Sequence, residues 1–181
     1  MAIGKGMFMA AACRGPRAPA RGMRRRAWGV RQPPAKVAAM ALTLPTRKTL
    51  TLEAARLAMA ACEAEALRGG WKVVIAVVDE GGHPLLVQRL DGAQWSSFEA
   101  AIGKARAATA WKRPTRLLEE AINGGRTAFL SISDGMALLQ GGVPIEVGGA
   151  IVGAIGVSGV KASDDEIVAT AGVQALVSAL S

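Results

Sequence analysis

The sequence of 181 residues has no tyrosine, three phenylalanines, four tryptophans, one histidine and two cysteines. Because 51% of its residues are nonetheless hydrophobic, a folded core has to be built mainly from Ala, Val, Ile and Leu. Cys13 and Cys62 are too few and too far apart for a disulfide framework or a zinc site, which favours a reducing, cytoplasmic location. No apolar run reaches the roughly 18 residues of a membrane-spanning helix, so no membrane span is predicted.

Acidic residues are absent from residues 1–52, although this segment holds 11 of the 22 lysines and arginines. The rest of the chain has 11 basic and 14 acidic residues, a net charge of −3, so the formal +8 of the protein belongs to its N-terminal segment. Affinity for phosphates needs a basic face on the folded domain. The charge distribution therefore predicts that the core domain does not bind nucleic acid.

Residues 1–45 combine repeated arginines with Gly, Pro and Ala and show no sustained apolar period, which predicts a disordered basic tail. Three origins of this tail stay open. It is an over-extended start, since Met40 opens a sequence that leads directly into the first helix, or a targeting peptide of an exported protein, or a basic arm for RNA or membrane contact. Residues 46–181 are predicted to form one folded domain.

Two stretches, Val73 to Ala93 and Gly141 to Gly159, each contain two apolar runs around a Gly-Gly pair. Gly-Gly readily supplies the positive φ angles of a tight turn, so each stretch predicts an antiparallel β-hairpin. Thr127–Ser131 is ambiguous, and an edge strand there would give a sheet of about five strands. Capping residues and apolar spacing predict helices that begin near Thr51, Ser96, Thr115 and Ser163. The predicted fold class is α+β, with helices packed on an antiparallel sheet.

The last strand of the second hairpin is apolar or small on both faces, so both faces should be buried. Gly153 and Gly156 in its interior predict the close approach of another backbone, from a packed helix or a neighbouring subunit. The excess of apolar strand surface over what one chain of this size covers predicts a homo-oligomer.

Motifs of several enzyme classes are missing, among them a Ser-His-Asp order, a Walker loop, a dinucleotide fingerprint and metal-ligand spacing. No catalytic residue is predicted, and whether the protein is an enzyme stays open. His83, at the tip of the first hairpin, is either a metal ligand or a residue chosen for the turn. Asp79 and Asp91 at the ends of this hairpin either bind a cation or polar ligand with Glu80, or end the strands by accepting local backbone N–H bonds.

A basic band follows the middle helix and consists of Lys104, Arg106, Lys112 and Arg113. Arginine binds carboxylates in a bidentate manner, so this band suits a small-molecule ligand with carboxylate groups. The alternative is a solvated helix face paired with nearby glutamates. Thr115, in the sequence Arg113-Pro114-Thr115, either faces a ligand pocket or caps the short helix that follows.

Four segments of the chain together resemble the HbpS/GlcG family of small haem-binding or haem-degrading-type domains. They are VVDEGGHPLLVQRLDGA, KARAATAWKRPT, GGVPIEVGGAIVGAIGVSG and DDEIVATAG. The resemblance covers about Leu50 to Leu180 and extends to the C-terminal domain of PduO-type cobalamin adenosyltransferases. It implies a profilin-like α+β fold for residues 46–181 and assembly into homo-oligomers, often octamers.

The resemblance also implies a function, namely the binding of haem or another tetrapyrrole, with haem degradation or sequestration as the associated role. Under this hypothesis haem is the cofactor, His83 is the metal ligand, and Lys104, Arg113 and Thr115 contact the cofactor. Two alternatives stay open: a non-catalytic oligomeric accessory protein, and a protein associated with a small carboxylate of the glycolate pathway.

Overall fold

The computed structural model describes residues 43–180, so the predicted basic tail lies almost entirely outside the described part of the chain. From Pro45 onward, the described part of the chain forms one compact unit. Its helices are α1 (Leu52–Arg68), α2 (Ser97–Trp111), α3 (Thr115–Asn123) and α4 (Ala162–Ala179), and its strands are β1 (Val74–Asp79), β2 (Pro84–Arg89), β3 (Gly142–Val147) and β4 (Ala150–Ser158).

The four strands form one antiparallel sheet in the order β2-β1-β4-β3. The two predicted hairpins are β1–β2 and β3–β4, and β1 pairs with β4 in the centre of the sheet. The second hairpin closes through Gly148 and Gly149, whose φ angles of 62° and 78° are readily adopted by glycine. The α+β class with an antiparallel sheet and packed helices is therefore confirmed.

The prediction of a fifth strand is wrong, since Thr127–Ile132 forms a 3₁₀ helix. The Ser131 hydroxyl donates to the carbonyl oxygen of Ala128 at 2.8 Å, and the Ser133 hydroxyl donates to that of Leu130 at 2.9 Å. Such local hydrogen bonds compete with strand pairing. The serines of this segment thus favour successive turns over an extended edge strand.

Helices cover both faces of the sheet. Helices α1 and α4 pack on one face, where Val73, Ile75 and Val77 of the β1 region are buried with Cys62 and Leu176. Helix α2 packs on the other face, against the alternate residues of β1, and buries Ala101, Ala105 and Ala108. Burial raises the pKa of the Cys62 thiol to about 12, so this cysteine is part of the apolar core. None of the helices within residues 43–180 combines the length and the apolar character of a membrane-spanning segment.

The two glycines of β4 meet backbone from different elements. A Cβ atom at Gly156 would overlap the carbonyl oxygen of Ala101 and the amide nitrogen of Ala105 in α2, which shows why the alanine-rich helix needs glycine opposite it. A Cβ atom at Gly153 would overlap the carbonyl oxygen of Val78 in β1. Both close approaches are made within one chain, and neither requires a neighbouring subunit.

Candidate functional site

A cavity of about 390 Å³ opens beside the turn between β1 and β2, and we call it the histidine cavity. Its walls come from this turn, from α2 and from the loop that follows the 3₁₀ helix. It is lined by Glu80, Gly81, Gly82, His83, Arg106, Thr109, Ala110, Asp134, Gly135 and Met136. Its volume lies within the range of about 300–1,000 Å³ that is usual for small-molecule sites.

His83 lies exposed on the rim of this cavity, and the turn fixes its backbone. The Asp79 carboxylate accepts hydrogen bonds from the backbone N–H groups of Gly81 and His83, at 2.9 and 2.8 Å. A Cβ atom at Gly81 would lie 3.1 Å from Cδ2 and 3.5 Å from Nε2 of His83, so the imidazole ring packs close to this glycine. Asp79 therefore has the local backbone role that was one of its two sequence interpretations.

Arg106 lies between the two loops that line the histidine cavity. Its Nε donates to the carbonyl oxygen of Gly82 at 3.2 Å, and its Nη1 lies 4.0 Å from the position of a Cβ atom at Gly135. The side chain is half-buried, and its guanidinium has further N–H donors for a ligand. The sequence placed Arg106 in the basic band but did not select it as a site residue.

Thr109 was not selected from the sequence, where it stands in an alanine-rich helix. Its residue surface is 5% exposed, and its hydroxyl has no hydrogen-bond partner within the described part of the chain. An unpartnered buried hydroxyl costs about 1–3 kcal/mol. The signal that could have found it is helical spacing, since Thr109 follows Arg106 by three residues and therefore lies on the same side of α2.

A second cavity of about 550 Å³ adjoins the first, and we call it the basic cavity. Glu80 and Thr109 line both cavities. The other lining residues come from the segment before α1, the end of α2 and the turn between β3 and β4: Thr46, Arg47, Lys48, Lys112, Val147, Gly148, Gly149, Ala150 and Ile151.

Lys104 lies in the core, away from both cavities. Its Nζ forms an ion pair with Oδ2 of Asp165 at 2.8 Å and donates to the carbonyl oxygen of Val157 at 2.9 Å. Asp165 also accepts from the backbone N–H of Val160 at 3.2 Å. Burial raises the pKa of the Asp165 carboxyl, and the opposing effect of Lys104 is smaller. Lys104 thus joins α2 to α4, and its predicted contact with a ligand is not tested by this geometry.

Thr115 and Arg113 are also separate from His83. Thr115 is fully buried, and its hydroxyl accepts from the backbone N–H of Gly142 at 2.8 Å and contacts the carbonyl oxygen of the same residue at 3.4 Å. Arg113 is exposed, and its Nε donates to the carbonyl oxygen of Trp111 at 3.2 Å. Of the four predicted site residues, only His83 lines the histidine cavity. The residue beside it there is Arg106, which belongs to the basic band but not to the predicted site.

No cluster of three or more His, Cys, Asp or Glu side chains that could hold a metal ion occurs among residues 43–180. Asp79 is occupied by backbone N–H groups, and Asp91 lies exposed at the far end of the hairpin. The described residues therefore do not bring Asp79 and Asp91 together as ligands of one cation.

A four-stranded antiparallel sheet between helices, with two polar cavities along α2, defines a small three-layer α+β domain. The chain belongs to the HbpS-like family, whose model, described as haem degrading protein HbpS-like, matches residues 50–174. It is 40% identical to protein GlcG of Escherichia coli strain K12 over 115 residues, which are 64% of this chain and 85% of GlcG. The HbpS/GlcG resemblance is thereby confirmed.

Two solved structures extend the comparison. A double Glu-to-Asp variant of HbpS from Streptomyces reticuli superposes with a TM-score of 0.67 and 38% identity, covering 79% of this chain and 97% of HbpS. The haem complex of PduOC superposes with a TM-score of 0.66, covering 71% of this chain and 95% of PduOC. Its identity of 24% shows a shared fold.

Proposed function

We propose that this chain binds haem, with the ring in the histidine cavity and His83 as a ligand of the iron. The family description names a haem-degrading protein, which supports haem as the ligand class. The structural observation that carries the proposal is that His83 lies exposed at the rim of a cavity, with its backbone fixed by the Asp79 turn. Neutral imidazole is a common axial ligand of haem iron.

Besides His83, one residue of the histidine cavity has chemistry that suits haem, namely Arg106. The half-buried Arg106 supplies guanidinium N–H donors for a carboxylate, and arginine binds carboxylates with good geometry. Haem, when bound, supplies iron-centred redox chemistry. The described residues would hold it in three ways: His83 would contact the metal, Arg106 would hold a polar substituent, and the Asp79 turn fixes the His83 backbone.

The four residues selected from the sequence thus receive different assignments. His83 is retained as the metal ligand. Lys104 and Thr115 are assigned to the stability of the fold, because their polar atoms are buried and bonded within the chain. A contact of the exposed Arg113 with the ligand stays a prediction.

The proposal is tested by titrating purified protein with hemin and recording the Soret band. Wild type should give a saturable, shifted Soret band, and His83→Gly should lose that spectrum. Free imidazole should restore it in His83→Gly, because it can take the position vacated by the side chain. Gln88→Ala, on the adjacent strand and outside the histidine cavity, is the matched control and should bind like wild type.

If wild type and His83→Gly both bind hemin saturably and give the same Soret spectrum, His83 is not the iron ligand. The absence of any saturable hemin binding in wild type would overturn the proposed function itself. Thermal melting of both proteins without hemin establishes that the variant is folded.

Assembly into a homo-oligomer and a cytoplasmic location stay predictions. The two faces of the sheet are covered by helices of the same chain, so sheet burial no longer supports the oligomer. Support now comes from the exposed large apolar side chains near α3, which are Leu117, Leu130, Ile132 and Leu139. Light scattering on dilution measures the assembly, and a monomer at all concentrations would contradict it.

A further inference from the structure

The basic cavity carries an excess of positive charge that the protein does not neutralise. Its lining residues include three basic ones, Arg47, Lys48 and Lys112, and one acidic one, Glu80. Among the described residues, none of the three cations forms an ion pair with an acidic group. Glu80 instead accepts a hydrogen bond from the Thr49 hydroxyl at 3.3 Å. The cavity is therefore suited to an anion supplied from outside the chain.

Thr109 gives an independent indication of a ligand in the same place. It lines the basic cavity, it is 95% removed from solvent, and its hydroxyl has no partner among residues 43–180. The hydroxyl is shielded as it lies, but a threonine in a helix has two accessible χ1 rotamers, and a change from one to the other, a rotation of about 120°, redirects it. A buried donor without an acceptor is explained if a ligand oxygen completes the hydrogen bond.

The backbone of Lys112 holds this cation at the end of α2. Lys112 is the one residue other than glycine with positive φ in the described part of the chain, at 52°. This left-handed conformation is costly for a residue with a side chain, and glycine would adopt it more easily. Lys112 lines the basic cavity three residues after Thr109, so its ammonium group is within reach of a ligand there.

We propose that the basic cavity is a carboxylate subsite, in which the Thr109 hydroxyl and the Lys112 ammonium group bind the same carboxylate group and Arg47 adds charge. Two sources of a carboxylate fit this chemistry. One is a propionate of haem whose ring lies in the adjoining histidine cavity, and this form rests on the proposed function. The other is a free small carboxylate that binds independently of haem.

The test compares three probes: hemin, hemin dimethyl ester, in which both propionates are blocked, and succinate. The variants are Thr109→Val, which removes only the hydroxyl, and Lys112→Gln, which removes the charge. The control is Lys161→Gln, an exposed lysine outside both cavities that undergoes the same change of charge. Dissociation constants come from Soret titration for the two porphyrins and from calorimetry for succinate.

If the subsite binds a haem propionate, each site variant should bind hemin about tenfold more weakly than wild type does, while its affinity for the ester is unchanged. For a free carboxylate, succinate should bind wild type and lose about tenfold in affinity in both variants, with hemin unaffected. Lys161→Gln should behave as wild type in every titration. Succinate binding without any hemin binding would overturn the proposed function and leave the subsite standing.

Two results overturn the subsite. One is wild-type protein that binds hemin and its ester equally and does not bind succinate. The other is a failure of both variants to discriminate. Either they bind all three probes as tightly as wild type does, or their affinity falls by the same factor for hemin and for its ester. Because the side chain of Lys112 is exposed, Lys112→Gln decides the question even if Thr109→Val fails to fold.

Discussion

Helix α2 presents polar residues to two regions that use them in opposite ways. On the side facing β4 and α4, Lys104 has both an ion-pair partner and a carbonyl acceptor. On the side facing the cavities, Arg106 retains free donors and the Thr109 hydroxyl has no partner in the described chain. Buried polar groups that are satisfied within the chain stabilise the fold, and an unsatisfied one that lines a cavity, as Thr109 does, is available to a ligand.

Breaking the buried ion pair should give the largest effect. Lys104→Met leaves the Asp165 carboxylate buried without its partner, which is expected to cost about 3–5 kcal/mol of unfolding free energy. Urea denaturation measures the loss, with Lys161→Met as an exposed control. A loss below about 1 kcal/mol would show that the pair does not hold α2 to α4.

An intermediate effect is expected from the second internal contact. Thr115→Val keeps the shape of the side chain but leaves the buried N–H of Gly142 without an acceptor, which costs about 1–3 kcal/mol. Thr127→Val, at an exposed position, is the control for the same chemical change. Equal midpoints of urea unfolding for the two variants would contradict a stabilising role for Thr115.

The smallest effect concerns pH. Because the pKa of Asp165 is raised in the folded protein, the folded state holds this proton more tightly than the unfolded chain. The contribution of Asp165 to stability should therefore increase as the pH falls from the raised pKa towards the unfolded value of about 3.9. The unfolding free energy of wild type, measured relative to that of Asp165→Asn, should therefore rise as the pH is lowered through this interval. A fall instead would mean that folding lowers the pKa of Asp165.

Sequence patterns predicted the hairpins and helices well, because Gly-Gly turns and apolar periods are local signals. The helix that begins at Leu52 shows this directly, since the Thr51 hydroxyl accepts from the N–H of Ala54 at 3.2 Å, as its capping role requires. The 3₁₀ helix at Thr127–Ile132 was missed because its alternating residues also fit a strand, and short-range serine hydrogen bonds decided between the two.

The candidate site was only partly predictable. Lys104 and Arg106 are two residues apart, which turns them by about 200° around a helix, so they cannot face one ligand together. That separation was available from the sequence. The partners of these residues could not be predicted from the sequence. The ion pair of Lys104 with Asp165 joins residues that are distant in sequence, and Thr109 meets the segment before α1 only in the folded chain.

Polar residues whose groups are paired inside the chain stabilise the fold, whereas those at the histidine cavity serve a ligand. Thermal melting of His83→Ala and Thr115→Val, each with and without hemin, tests this distinction most directly. Thr115→Val should melt at a lower temperature than wild type but be stabilised by hemin to the same extent. His83→Ala should melt like wild type without hemin and lose most of the stabilisation by hemin. Equal stabilisation of His83→Ala and wild type by hemin would contradict the account.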